Sequence, residues 1–424
     1  MATASSRILC SGRLFSYLMA LGTSTLFGSA FSALSFGWVC MVNSTEVMGN
    51  ASSSHGYDGD LPWGKWEQKF IFSAYTLGGL LLGVMPGYML DRFGARRVGL
   101  WCLVLSGFSV GCVPWLCYIS FWLTVVARLF TGFAGSIAWP IVYSIMSHWA
   151  PRGELGRAIL IGATGLPLGQ WGPECRELGW HWLFWLVGLA HLSYALFWFF
   201  FFRSDPVGCP WLGAEERDYI LARRDRRQKK QKHIPWRSLL TSPPIYACMV
   251  CYFCGWQTNF FAGGFAPTYF KEVIKVEVVS NGLFSSVPML SFTVGRWVAG
   301  ICSDLHFGTP TFRVKLLNSI FCFGAAFYFA ILSIIREGVA EGWPVLVLVM
   351  LMLHAGFCTG GFQKAIILMA PQYSALVSSF ANLLGCLGAI ILPYVVAYFT
   401  VNGTAEEWAH VFWDWRPSGL GQTY

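Results

Sequence analysis

One pattern constrains this chain more than any other. Apolar windows of about 20 residues recur from end to end, the length a helix needs to cross some 30 Å of hydrocarbon. Ten windows meet that demand, at roughly 17–42, 69–90, 98–116, 121–145, 180–202, 245–266, 281–302, 316–335, 344–367 and 376–400. Inside a bilayer only helices and closed barrels pair all their backbone groups, and windows of this length predict helices. The chain is 55% hydrophobic and 12% charged, whereas soluble chains carry about 25% charged residues. A cytosolic enzyme, a nucleic-acid-binding module and a disordered scaffold are therefore excluded. The net charge of +8 comes from basic residues gathered in short loops between the windows, where they set membrane orientation.

An eleventh stretch, 158–171, is too short to cross alone. The longest loop, 203–237, holds ten Lys or Arg against five acids and belongs in the cytosol. With the amino terminus also inside, six crossings must precede that loop, so 158–171 is predicted to be a strained, kinked or re-entrant element. Three glycosylation sequons, at Asn43, Asn50 and Asn402, fall on the opposite, lumenal or extracellular side. Residues 1–13 form a short polar tail, and the apolar run after it is too long for a signal peptide, so it reads as a membrane anchor. The fourteen cysteines sit mostly in apolar runs and read as packing; Cys251 and Cys254 are spaced C-x-x-C but lack a redox context. No metal-ligand set and no cofactor motif is predicted.

The chain repeats itself. Gly87-Tyr88-Met89-Leu90-Asp91-Arg92-Phe93-Gly94-Ala95-Arg96-Arg97 follows the second window, and Gly300-Ile301-Cys302-Ser303-Asp304 stands at the matching place after the central loop. Duplicated halves joined by a basic loop are the parallel-repeat organisation of rocker-type transporters. The first of these stretches resembles the signature loop of the major facilitator superfamily, in which Gly87, Asp91, Arg92, Gly94, Arg96 and Arg97 would form the conformational-switch loop. Read from the residues alone, the arginines can also serve only to hold the loop inside.

Further stretches resemble the superfamily branch of sialin, sodium/phosphate cotransporters and vesicular glutamate transporters. They are Arg128-Leu129-Phe130-Thr131-Gly132 leading to Trp139-Pro140, Ser147 to Glu154, Pro267 to Glu272, Asn281 to Pro288, Met369 to Tyr373 and Glu406 to Phe412. The resemblance implies an all-α membrane protein of two pseudo-symmetric six-helix bundles, working by alternating access on organic or inorganic anions. The domains would be an N-terminal bundle at 1–202, a cytosolic linker at 203–237, a C-terminal bundle at 238–400 and a lumenal or extracellular tail at 401–424. Departures from the branch are specific. Thr131 and Gly135 stand where it usually has acids, Gly255 stands for an arginine of vesicular glutamate transporters, and Ala365, Ile366 and Leu368 replace an Asn-His pair and Asp. Vesicular glutamate transport is thus disfavoured. The fifth helix is shortened near Gln170, and Trp413-Asp414-Trp415-Arg416-Pro417 replaces the twelfth helix, as in a truncated or alternatively spliced form.

Arg128 lies deep in its window, where a charge costs roughly 2.5–3.5 kcal/mol and usually faces a cavity or partner. It reads as an anion-attracting site, with a structural arginine bonded to helix carbonyls as the alternative. Gln257 and Asn259, flanking Thr258, can line a cavity opposite it or bond between helices, and Tyr75 can shape the pocket. His354 is a coupling candidate or an interhelical hydrogen-bonder; His191 is similar. Arg296 can snorkel to the interface and reads as structural more than functional. No acid falls squarely inside a window, which favours uniport, potential-driven or sodium-coupled transport, with the proton as the other possible coupling ion. The leading expectation is an anion transporter in a lipid bilayer of plasma or endolysosomal and vesicular membranes, taking a small anionic solute and no nucleic acid. The competing one is a transport-inactive regulatory or dominant-negative protein of the same fold.

Overall fold

A computed structural model describes residues 11–41, 60–63, 65–81, 83, 85–169, 179–224, 236–274, 278–305, 307–335, 342–400 and 404–413. These residues are almost wholly helical. They divide into two compact units, one of Met1–Tyr246 with Ile366–Cys386 and one of Ala247–Ala365 with Leu387–Tyr424.

Six helices are long and apolar enough to cross a membrane, or eight if each of two bent pairs is one span. The described residues of the ten expected windows are nearly all helical, yet not all the windows are continuous spans. Ala95–Gly111 and Val113–Ile119 meet at 49°, because Pro114 lacks an N–H and its ring crowds the carbonyl one turn back. Phe70–Leu81 and Met85–Phe93 bend by the same angle around Gly83. In the second unit, Pro243–Phe260 carries Gln257, Thr258 and Asn259 at its end and gives way to π-helical turns at Phe261–Phe265 and Phe270–Ile274. Gly342–Ala355 passes through a 3-10 turn at Gly356–Thr359 before Phe362–Met369.

The stretch 158–171 corrects an expectation. Its described part belongs to a regular helix, Leu155–Gly169, of 15 residues, about 22 Å long. Gly162, Gly165 and Gly169 recur on one face at helical spacing. A Cβ at Gly165 or Gly169 would strike the carbonyl oxygen of Leu21 or Thr25 on the helix Gly12–Met41. Ser24 Oγ donates to the Gly162 carbonyl at 2.5 Å, and Ser32 Oγ to that of Gly169 at 3.2 Å. Close backbone packing of this kind holds a short helix in place without a kink.

Part of the predicted linker is also folded. Pro206–Gly208 and Ala214–Arg223 form helices that belong to the first unit. Arg13, only 2% exposed, binds Glu154 at 2.7 Å and Glu216 at 3.0 Å. Glu216 also accepts the backbone N–H of Gly12 and Arg13, and Tyr219 donates to Glu154 at 3.3 Å.

In place of the helix expected to be missing, Ala405–Trp413 forms a helix of 9 residues, short of the roughly 20 that a crossing needs. It opens with a reciprocal capping box between Thr404 and Glu407, both bonds at 3.3 Å. Trp408 is fully buried among Phe261, Tyr269 and Phe412.

Candidate functional site

Arg128 projects from Phe121–Gly135 into the first unit, 2% exposed. Its helix can sit close to Lys65–Leu81 because a Cβ at Gly132 would clash with the Tyr75 carbonyl and one at Gly78 with that of Leu129. This brings the two expected residues together: the guanidinium lies over the Tyr75 ring, 5.2 Å from its centroid. It donates to the carbonyls of Ala30 at 3.1 Å and Phe31 at 3.5 Å, while Nε has no hydrogen-bond partner among the described residues. Phe31 packs edge-on against Tyr75 at 5.1 Å. Among the described residues no carboxylate pairs with this cation. A π face and two carbonyl dipoles carry its compensation.

Gln257 and Asn259 belong to the second unit. Asn259 bonds back to the Gly255 carbonyl of its own helix at 2.8 Å and Thr258 to that of Cys254 at 2.9 Å. Gln257 lies against Gly388, with both side-chain polar atoms buried and unpartnered among the described residues. His354 is held by the Met350 carbonyl at 2.8 Å and packs its ring on Gly324 and on Tyr328, 5.1 Å away. His191 is fully buried and bonded to the Val187 carbonyl at 2.8 Å.

The signature loop is built as a fitted turn. Gly94 has φ +82°, a left-handed conformation that glycine adopts without a Cβ penalty, and it starts the helix Ala95–Gly111. Gly87 sits directly against the backbone of Ala375 and Leu376, the first turn of Ser374–Phe399. Beside it, burial first and the Asp91 charge second push the Tyr373 hydroxyl above its ordinary pKa. Arg92 donates to Tyr88 Oη at 2.8 Å, Arg96 to the Phe199 carbonyl at 2.8 Å, and Arg97 is exposed.

Arg296 corrects a second expectation, since it turns inward instead of snorkelling. Only 2% exposed, it donates to Thr359 Oγ1 at 3.2 Å and lies over the Phe292 ring at 5.2 Å. A buried ion pair that the sequence pattern does not single out joins Lys364 to Asp304. Lys364 Nζ meets Asp304 Oδ1 at 2.7 Å and the Ser303 carbonyl at 2.8 Å, with side chains 6% and 0% exposed. Lys364 stands inside the window 344–367, and a charge at that depth is itself the signal. Asp304 ends its helix two residues beyond the window 281–302, which is why no intramembrane acid was expected. Asn43, Asn50 and Asn402 lie outside the described residues.

Long apolar helices, backbone-close glycine contacts and inward-facing cations together define a multi-pass integral membrane protein. The chain belongs to the Major Facilitator Superfamily, whose family profile matches residues 13–393. It is a membrane transporter by class and not an enzyme. It is 26% identical over 375 residues to the uncharacterized transporter slc-17.3 of Caenorhabditis elegans, covering 84% of this chain and 69% of that one. Vesicular glutamate transporter 1 of Bos taurus is 26% identical over 403 residues, 89% of this chain and 71% of the relative. These relatives lie in the branch to which the sequence motifs pointed. Among solved structures, the proton:xylose symporter XylE superposes with a TM-score of 0.68 at 15% identity, covering 94% of this chain and 93% of that one. The E. coli fucose:proton symporter FucP gives 0.66 at 13%, covering 94% and 96%. At those identities the likeness is one of fold.

Proposed function

We propose that this transporter moves a small anionic solute by alternating access, with Arg128 and Tyr75 as the anion-recognising pair. The observation that carries the reading is a buried guanidinium without a carboxylate partner among the described residues. A charge so placed gains most from a mobile counter-ion, and a conformation that opened it to water would let a solute supply one. Within the second unit, Gln257, whose side-chain polar atoms are buried and unpartnered among the described residues, is that unit's own candidate for a polar contact with solute. The glutamate named in one relative is itself an anion, which supports the class of solute. The substitutions at Thr131, Gly135 and Gly255 argue that the solute differs. Sodium or the proton would couple transport, and the protein would reside in a plasma or vesicular membrane.

Uptake into proteoliposomes, tested with a panel of organic anions and with phosphate, decides the matter. Saturable uptake lost in Arg128→Ala and partly kept in Arg128→Lys supports the proposal. Full uptake by an inserted Arg128→Ala overturns it. Sound insertion without any flux favours the transport-inactive reading.

A further inference from the structure

A groove runs along the outer face of the first unit between Ala95–Gly111 and Trp180–Phe201. The two helices converge where Gly107 and Gly111 meet Gly188, and a Cβ on Gly188 would reach the Gly107 carbonyl and the Gly111 backbone. Toward the Arg96 end they leave a channel lined by apolar side chains, among them Leu100, Trp101, Val104, Phe108, Leu196 and Phe199. Several stand open on the surface: Phe108 is 57% exposed and Leu196 64%.

The channel ends in cations. Arg96 donates to the Phe199 carbonyl at 2.8 Å and lies over the Phe199 ring at 5.6 Å, so it stands at the mouth. Arg97 follows it in the chain, and Arg203 adjoins Ser204, whose Oγ is 3.0 Å from the Arg96 backbone nitrogen. Arg203 donates to the carbonyls of Phe200 and Phe202, at 3.1 and 3.0 Å. Among the described residues no carboxylate pairs with any of the three, since the nearby Asp205 binds Arg224 and the Val207 N–H. The platform is firm. Trp198 donates to the Arg96 carbonyl at 3.0 Å, and Ser204 Oγ accepts the Arg96 N–H at 3.0 Å.

We infer that this face holds one anionic phospholipid, its phosphate on Arg96, Arg97 and Arg203 and an acyl chain along the groove. Charge complementarity and amphipathic layout select that occupant. Three cations without a carboxylate partner among the described residues attract an anionic headgroup, while the channel beyond them, apolar apart from the Trp101 indole N–H, suits hydrocarbon. Neither inorganic phosphate nor a neutral lipid uses both parts.

Thermal unfolding of the full-length protein in detergent, with phosphatidylserine, phosphatidylcholine or inorganic phosphate added, tests the assignment, together with native mass spectrometry of retained lipid. Phosphatidylserine is expected to raise the unfolding temperature and to be retained as one copy, with phosphatidylcholine and phosphate ineffective. Affinity should fall about fivefold for each arginine changed to Gln. Leu196→Trp, which fills the groove and alters no charge, should weaken retention as well, and it keeps the test open if the arginine variants fail to fold. Undiminished retention in both Arg203→Gln and Leu196→Trp overturns the proposal, as does a phosphate effect equal to that of the lipid.

Discussion

At the scale of single residues, the first unit depends on glycines that let carbonyl oxygens approach a neighbouring helix. Gly132→Val would drive a branched side chain into the Tyr75 carbonyl and is expected to cost about 1–3 kcal/mol, read as a lower unfolding temperature in detergent. Gly153→Ala is the control. A Cβ there meets nothing within 4 Å, and the change should stay within about 0.5 kcal/mol. Arg128 was legible in the sequence because a charge in an apolar window announces itself. Its partners were not, since the Ala30 and Phe31 carbonyls are backbone groups that any residue could supply. Arg296 was misread for a related reason: depth along a helix does not say which way a side chain points, and Thr359 draws this one inward.

At the scale of elements, the Asp304–Lys364 pair joins Val278–Asp304 to Phe362–Met369. Removing one partner takes from the other its 2.7 Å counter-ion, at an expected cost of about 3–5 kcal/mol, whereas replacing both with neutral groups is far milder. Asp304→Asn and Lys364→Met should each lower the folded fraction sharply, and the double variant should recover most of it. Damage in the double variant equal to the sum of the two singles would show that the charges act independently. Helix existence was legible from apolar length. Helix continuity was less so, because the bends at Gly83 and Pro114 leave mean hydropathy unchanged. The regular helix Leu155–Gly169 was misjudged since length was weighed without the glycine face that seats it.

At the scale of the whole molecule, the folded start of the linker is tied to the chain's beginning through Arg13, Glu154 and Glu216. Glu216→Gln would weaken the carboxylate that accepts from Gly12 and Arg13. Trypsin should then cut faster after Arg217 and Arg223 in the purified variant than in the parent protein. In sealed vesicles, cleavage in 223–232 is expected only when protease reaches the cytosolic face; cutting from the opposite face alone would reverse the assigned orientation. The sequence showed this region as a run of charge, and charge runs are usually solvated. What turns its first part into a docked helix is a set of long-range partners more than 200 residues apart in the chain, a spacing no local pattern reveals.

The seating of Leu155–Gly169 on Gly12–Met41 has a mechanical corollary. Where two helices touch through bare backbone and two serines of one, Ser24 and Ser32, bond to carbonyls of the other, neither can ratchet along its mate without a collision at every turn. Through any working stroke the pair should travel as welded rails, so distances measured between probes on these two segments ought to stay constant while others change.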